Sequence, residues 1–106
     1  MSDFQFIECQ PAKELMSSGA LLFDIRDQNS FLMAHPNEAI HLHNDNLSML
    51  LSPLDKDQTI LVLCYKGNSS QGAAQFIYEQ GFKNVFSVNG GFNTWQALYP
   101  TEITSS

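Results

Sequence analysis

The chain has 106 residues, of which 43% are hydrophobic and 15% are charged, and its formal net charge is −6. This length and composition fit one globular domain with one core and argue against intrinsic disorder. The negative charge argues against sequence-independent binding to nucleic acid or to an anionic membrane, since both need a basic face. We therefore predict a single domain over residues 1–106 that binds neither nucleic acid nor membrane.

Cysteine usage and the N-terminus predict the compartment. The apolar stretches are far shorter than a membrane span, and residues 1–4 lack the basic and apolar regions of a secretory signal. Without such a signal, Cys9 and Cys64 are expected to be free thiols in a reducing, cytoplasmic setting, with a disulfide between them as the alternative. No Cys/His group has zinc spacing, so no metal is expected.

Hydrophobic periodicity predicts strands separated by helices. In the first half of the chain we expect a strand over 4–9, a helix over 11–18 that Gly19 ends, a strand over 20–25, a short helix over 30–34, a strand over 39–42 and a helix over 45–51. In the second half we expect a strand over 59–63, a helix over 70–80 and a strand over 84–88. A last helix follows Gly90-Gly91 and carries Trp95 and Leu98. Residues 101–106 are expected to be a frayed polar tail. This order predicts an α/β domain whose central, mostly parallel sheet has helices on both faces.

Cys64 has the most informative position in the chain. It ends the most apolar predicted strand, 59–63, and a short Gly-containing loop and a helix follow it; residues 64–69 are called the cysteine loop. Ligand sites of parallel sheets lie beyond the carboxyl ends of the strands. A helix start offers free N–H groups and a positive dipole end, which bind anions and lower the pKa of a nearby thiol. We predict a nucleophilic thiolate there, and the alternative is a small buried hydrophobic residue.

Three segments resemble motifs of the rhodanese family, in the family's order. They are Asp24-Ile25-Arg26 followed by Phe31 and Ala34-His35, the six-residue cysteine loop Cys64-Tyr65-Lys66-Gly67-Asn68-Ser69, and Val88-Asn89-Gly90-Gly91 followed by Trp95. Together they cover roughly residues 20 to 98. The loop most closely resembles that of the small, single-domain thiosulfate sulfurtransferases of the GlpE type. Two departures are Ala34, where the family usually has Gly, and residues 36–38, where it has a small or aliphatic segment.

The resemblance implies a sulfurtransferase. Cys64 would accept the outer sulfur of thiosulfate as a persulfide, release sulfite and pass the sulfur to cyanide, a small thiol or a dithiol protein. The implied substrate-binding residues are Tyr65, Lys66, Gly67, Asn68 and Ser69. No metal or organic cofactor is implied beyond the persulfide itself. The cation of Lys66 matches a small dianion, whereas family members that use 3-mercaptopyruvate tend to have a neutral small residue there.

Other residues of the motifs are expected to support the site or the fold. Asp24 and Arg26 lie two apart at a strand end, where they either hold the cysteine loop or form an ordinary ion pair. Structural roles are expected for Cys9, His35, His41, His43, Gly90, Gly91 and Trp95.

Two other functions are compatible with parts of the pattern. A Cys-x₅-Arg phosphatase loop would need an arginine six residues after Cys64, but that position is Ser70, and arsenate reduction on a similar thiol loop is equally disfavoured. A non-catalytic sulfur carrier or interaction module of the rhodanese type would keep the cysteine, so the sequence leaves that alternative open.

Overall fold

A computed structural model describes residues 4–105 of the chain. Residues 1–3, where no secretory signal was expected, and Ser106 of the predicted tail lie outside this range. The strands are β1 (Gln5–Ile7), β2 (Leu21–Asp24), β3 (His35–Pro36), β4 (Ile40–His41), β5 (Thr59–Leu63), β6 (Asn84–Val88) and β7 (Ile103–Thr104). The helices are α1 (Cys9–Ser17), α2 (Gln28–Met33), α3 (Leu47–Leu51), α4 (Ser69–Glu79) and α5 (Gly91–Leu98).

Five strands form one parallel sheet in the order β1-β6-β5-β2-β4. The predicted central strand is confirmed, since β5 lies between β2 and β6. Val62 of β5 is in register with Phe23 on one side and Ser87 on the other. Because the strands are parallel, their carboxyl ends share one edge, and the segments that follow β2, β5 and β6 meet there.

The sheet is covered on both faces, as predicted. Alternate residues of β5 point into two different clusters, with Ile60 and Val62 in one and Leu61 and Leu63 in the other. Helices α3 and α4 cover the first cluster, while α1 and α5, which carries the buried Trp95, cover the second. This two-sided burial explains why β5 is a continuous apolar run and does not alternate with polar residues.

The first two helices each begin two residues earlier than predicted. Helix α1 begins at Cys9, with Glu8 as its N-cap, so that Pro11 falls inside the first turn and not at its start. Helix α2 begins at Gln28 because the Asp27 carboxylate accepts the N–H of Ser30. The apolar pattern that predicted α2 does not report which side chain caps it.

The expectation of a frayed C-terminal tail does not match the described residues. Ile103 and Thr104 form β7, which pairs antiparallel with the equally short β3. Glu102 adds a contact of 2.6 Å to the ammonium of Lys13 on α1. Two-residue strands show no periodicity, and their partners lie far apart in sequence, so the pattern did not reveal either strand.

The helices are short, and α4 is the longest of them with 11 residues. Between residues 4 and 105, no helix has both the length and the apolar character needed to span a membrane.

Candidate active site

Cys64 lies immediately after β5, at the edge where the carboxyl ends of the parallel strands meet. The residue is only 2% exposed, so its sulfur lies at the base of the cysteine loop. The loop connects β5 to the first turn of α4, as the sequence predicted.

Hydrogen-bond donors surround the sulfur. The N–H of Gly67 donates to Sγ over 3.1 Å, and the hydroxyl oxygen of Ser70 lies 3.2 Å from Sγ. The backbone N–H groups of Lys66 and Ser70 lie near enough to the sulfur to help lower the pKa of its thiol. The loop therefore wraps its own backbone and the first turn of α4 around one atom.

These donors lower the pKa of the Cys64 thiol. Burial alone would raise it, but the hydroxyl of Ser70 and the N–H groups of Ser70, Gly67 and Lys66 together favour the thiolate more strongly. The helix start was the predicted cause of this lowering, but the largest lowering contribution comes from a side-chain hydroxyl, and the Lys66 ammonium is not among the causes.

A second buried serine lies behind the first. The hydroxyl oxygens of Ser70 and Ser87 are 2.8 Å apart, and both residues are fully buried. Sequence reasoning did not single out Ser87. The available signal was a hydroxyl at an inward-facing position of β6, two residues after the buried Val85.

Glycines let the backbones of the loop and of α5 touch. Gly67 has φ +97°, and a Cβ there would be 3.0 Å from the Gly90 nitrogen. Gly91 has φ +56°, and a Cβ there would be 2.5 Å from the Cys64 carbonyl oxygen. A side chain at residue 91 would therefore collide with the backbone of the nucleophile itself.

The N-terminus of α5 fixes the direction of the loop peptides. The N–H of Asn93 donates to the Tyr65 carbonyl oxygen over 3.0 Å. The C=O and N–H of a trans peptide point in opposite directions. Holding the Tyr65 carbonyl toward α5 therefore turns the N–H of Lys66 toward the sulfur.

Asp24 and Arg26 form a buried ion pair with each other. Arg26 Nη2 lies 2.8 Å from Asp24 Oδ2, and the same nitrogen donates to the Ala34 carbonyl oxygen over 2.6 Å. The guanidinium carbon lies 4.0 Å from the ring centroid of Phe92, the second residue of α5. The pair thus contacts the helix that holds the loop, and its charged groups are paired with each other and not with the loop backbone.

Tyr65 links the loop to the start of α2. Its phenol donates to the Asp27 carboxylate, and the N–H of Asp27 lies 3.3 Å from the phenol oxygen. The hydrogen bond from Tyr65, followed by those from Ser30, lowers the pKa of Asp27. The ring of Tyr65 remains partly exposed, so this link lies on the surface above the site.

The other predicted binding side chains lie on the exposed rim of the loop. Lys66, Asn68 and Ser69 are exposed. Lys66 forms no salt bridge with any residue between 4 and 105. A cation with no carboxylate partner in this range is available to a ligand.

Comparison with known proteins identifies the family. The sequence model of the rhodanese-like domain family matches residues 8–98, which include the whole cysteine loop. The chain belongs to the rhodanese-like domain family. The predicted family is thus confirmed.

One curated relative of this rhodanese domain is the thiosulfate sulfurtransferase GlpE of Ectopseudomonas mendocina (strain ymp). It is 45% identical over 102 residues, which cover 96% of the present chain and 94% of the relative.

Solved rhodanese structures share the fold. The reduced CoADR-RHD of Bacillus anthracis matches with a TM-score of 0.81 and 24% identity over 95% of this chain, which spans only 18% of that longer protein. The rhodanese-like domain of the Alr3790 protein from Anabaena sp. matches with a TM-score of 0.81 and 19% identity, over the whole of this chain and 81% of that one. At these identities the likeness concerns the fold, and it confirms the predicted single α/β domain.

The second cysteine of the rhodanese domain lies apart from the loop. Cys9 and Cys64 are both free thiols. Cys9 is buried at the start of α1, and its Sγ lies 3.7 Å from the Asn89 carbonyl oxygen. Burial, followed by the charge of Glu8, raises the pKa of Cys9 to about 11. The pKa values of the two thiols are therefore shifted in opposite directions, with Cys9 raised and Cys64 lowered.

His35 and His41 pack against Phe31 of α2, and no histidine among residues 4–105 forms a hydrogen bond to the Cys64 sulfur. His35 stacks on Phe31 with ring centroids 3.9 Å apart, and His41 Nε2 lies 2.6 Å from the Arg26 carbonyl oxygen. His43 is exposed, with its ring 5.3 Å from that of His41. Across residues 4–105, no three His, Cys, Asp or Glu side chains are grouped so as to hold a metal ion.

Proposed function

We propose that this rhodanese domain is a thiosulfate sulfurtransferase that works through a persulfide on Cys64. The observation that carries the proposal is the ring of donors around the Cys64 sulfur, with Gly67 N–H at 3.1 Å and Ser70 Oγ at 3.2 Å. Such donors favour a thiolate, which is the nucleophilic form of cysteine. The likeness to a thiosulfate sulfurtransferase over nearly the full length of both chains supports the same reaction.

Sulfur loading is a displacement at the outer sulfur of thiosulfate. The Cys64 thiolate attacks that sulfur, a new S–S bond forms, and the S–S bond of thiosulfate breaks. Sulfite leaves with the electron pair of the broken bond. One negative charge stays on the terminal persulfide sulfur and two leave on sulfite, so the charges of thiolate and thiosulfate are conserved.

The cysteine loop is the proposed binding site for the donor. Backbone N–H groups at the start of α4 and the exposed ammonium of Lys66 attract a dianion. The same groups stabilise the sulfite that leaves. Tyr65, Gly67, Asn68 and Ser69 are the remaining proposed binding residues, and Gly67 supplies its N–H directly.

Discharge returns the enzyme to its starting state. Cyanide or a thiol attacks the terminal persulfide sulfur, and the Cys64 thiolate leaves. Neither half-reaction requires a metal or an organic cofactor, since the transferred sulfur stays covalently bound to Cys64. A small thiol or a dithiol protein in a reducing, cytoplasmic setting is the proposed acceptor, and the free state of both cysteines is consistent with that setting.

Phosphatase chemistry is disfavoured by the residue beneath the sulfur. The position that would need a phosphate-binding arginine is Ser70, which is fully buried and bonded to Ser87. Arg26, which also lies near this edge of the sheet, is already paired with Asp24.

Intact-mass spectrometry tests the proposal directly. We expect thiosulfate to add one sulfur atom to the wild-type chain and cyanide to remove it as thiocyanate. Cys64→Ser is expected to abolish both loading and turnover, whereas Cys9→Ala is expected to keep both.

Three outcomes would contradict this assignment: turnover by Cys64→Ser, mapping of the added sulfur to Cys9, or no loading of the wild-type chain. Loading without turnover on cyanide or small thiols would favour the sulfur-carrier alternative.

A further inference from the structure

Ser87 is buried in the sheet and does not contact the Cys64 sulfur itself, but it is hydrogen-bonded to Ser70, which does. Its hydroxyl oxygen lies 2.8 Å from that of Ser70, which in turn lies 3.2 Å from the Cys64 sulfur. We propose that Ser87 is a positioning residue that stabilises the Cys64 thiolate through the hydroxyl of Ser70. This inference rests on the proposed function, because it concerns the same nucleophile.

Counting protons favours one direction for this chain of hydroxyls. When Cys64 is a thiolate, Ser70 donates its proton to the sulfur, and Ser87 donates to the oxygen of Ser70. Every donor in the chain then has an acceptor. When Cys64 is a thiol that donates to Ser70, the chain reverses and Ser70 donates to Ser87. Among residues 4–105, the bond to Ser70 is the one hydrogen bond that the Ser87 hydroxyl forms. With Ser70 as the donor in that bond, the Ser87 proton has no acceptor.

Leaving a buried hydroxyl proton unbonded carries a free-energy cost. Ser87 is fully buried, so water does not readily replace the missing acceptor. The cost falls on the thiol form of Cys64 and not on the thiolate. In addition, a donor that itself accepts a hydrogen bond is polarised and donates more strongly. Both effects lower the pKa of Cys64 through Ser70.

The elements beneath the sulfur bring hydroxyls and no charge to it. Strand β6 contains no ionisable side chain, and the only one in α4 with a formal charge is Glu79 at its far end. Beside the loop, the charges of Asp24 and Arg26 are paired with each other, and Asp27 is bonded to Tyr65. Lys66 is exposed on the rim. The serine chain can therefore be tested without changing any charge.

The test is a cycle of Ser87→Ala, Ser70→Ala and the double variant. The readout is the pH dependence of Cys64 alkylation by iodoacetamide, in a Cys9→Ala background. We expect Ser70→Ala to raise the midpoint by about one pH unit, since it removes a charge-assisted hydrogen bond. Ser87→Ala is expected to raise the midpoint by roughly half a pH unit. At a pH well below the midpoint, this corresponds to about threefold less thiolate.

The double variant separates action through Ser70 from any other action. Once Ser70→Ala is present, adding Ser87→Ala should leave the midpoint unchanged. Well above the midpoint, all variants should react at similar rates, because the thiolate is then fully formed.

Val85→Ala is the matched control. Val85 lies two residues earlier on the same face of β6 and is also buried, but it carries no hydroxyl. We expect it to lower the melting temperature without moving the alkylation midpoint. If it moves the midpoint as far as Ser87→Ala does, loosening of β6 explains the effect and the proposal is wrong.

Two further results would overturn the inference: an unchanged midpoint in Ser87→Ala, or an equal shift from Ser87→Ala with and without Ser70. Alkylation needs no sulfur donor, so this test can fail while thiosulfate loading succeeds. Conversely, if thiosulfate does not load the chain, the proposed function is wrong, but the effect of Ser87→Ala on the alkylation midpoint can still be measured.

Discussion

The backbone N–H of Phe92 donates a hydrogen bond of 2.8 Å to the carbonyl oxygen of Cys64. The second residue of α5 therefore holds the peptide of the nucleophile, and Asn93 holds the next one. This contact needs two backbones to approach closely, which explains the glycine that precedes Phe92. The third sequence motif is thus part of the framework of the cysteine loop.

Gly91→Ala is expected to destabilise the protein and to impair sulfur loading. Its Cβ would lie 2.5 Å from the Cys64 carbonyl oxygen and 2.6 Å from the Tyr65 carbonyl carbon, at φ +56°. The left-handed conformation alone costs about 1–2 kcal/mol for a residue with a side chain, and displacement of the loop adds to this. Urea unfolding and the rate of persulfide formation measure the two effects.

Gly72→Ala is the control for that substitution. Gly72 lies within α4 and does not have positive φ, and a new Cβ there would meet no atom within 4 Å beyond its chain neighbours and the backbone of its own helix. Alanine should stabilise the helix there by about 0.5–1 kcal/mol and leave sulfur loading intact. Equal behaviour of the two alanine variants would show that the close approach at Gly91 is unimportant.

The two cysteines are expected to react in different pH ranges. The pKa of Cys64 is lowered, so its alkylation rate should rise and level off at a lower pH than for an ordinary thiol, whose pKa is about 8.5. The pKa of Cys9 is raised to about 11, so its thiolate forms only in strongly alkaline solution. Rates from pH 5 to 10, followed by peptide mapping, check both. A midpoint for Cys64 at or above the ordinary value would refute the account of its donors.

Lys66→Ala is expected to impair mainly the use of thiosulfate. Its exposed ammonium attracts the dianion, but solvent screens the interaction, so we expect about a tenfold loss in kcat/KM for thiosulfate. Discharge of preformed persulfide to a neutral thiol should change little, since no dianion is bound in that step. Steady-state kinetics and single-turnover discharge separate the two half-reactions.

Lys83→Ala removes the same charge at the opposite edge of the sheet, just before β6, and should not affect either half-reaction. Equal losses in both half-reactions of Lys66→Ala would mean that Lys66 supports the loop structure.

Asp24→Ala should reduce the free energy of unfolding by about 3–5 kcal/mol, because it leaves the Arg26 cation buried without its partner. Arg26 contacts α5 through Phe92 and reaches the cysteine loop through the ring of Tyr65, at 5.9 Å, but forms no hydrogen bond to the loop backbone. The molecules that stay folded should therefore keep most of their activity. Urea unfolding measures the loss of stability, and persulfide loading well below the melting temperature measures the activity of the folded molecules. The exposed pair Asp57–Lys83 is the control, and Asp57→Ala should cost less than about 1 kcal/mol.

The sequence by itself predicted the family, the α/β fold, the central strand and the place of Cys64 at its end. The central strand and the place of Cys64 are local features, because a continuous apolar run, a Gly-containing loop and a following helix are all read within a short window. The fold and the family follow from the order of elements and motifs along the chain, which the sequence also carries. The capping of α2 by Asp27 is also local, but it depends on one side-chain geometry that periodicity does not carry.

Only the tertiary structure brought together groups that lie far apart in the chain. Ser87 and Ser70 are 17 residues apart, and they meet because the register of β6 with β5 sets Ser87 beside the first turn of α4. The pairing of β3 with β7 and the contact of α5 with the cysteine loop have the same origin. Strand register and helix packing decide such distances, and neither is encoded in a local pattern of residues.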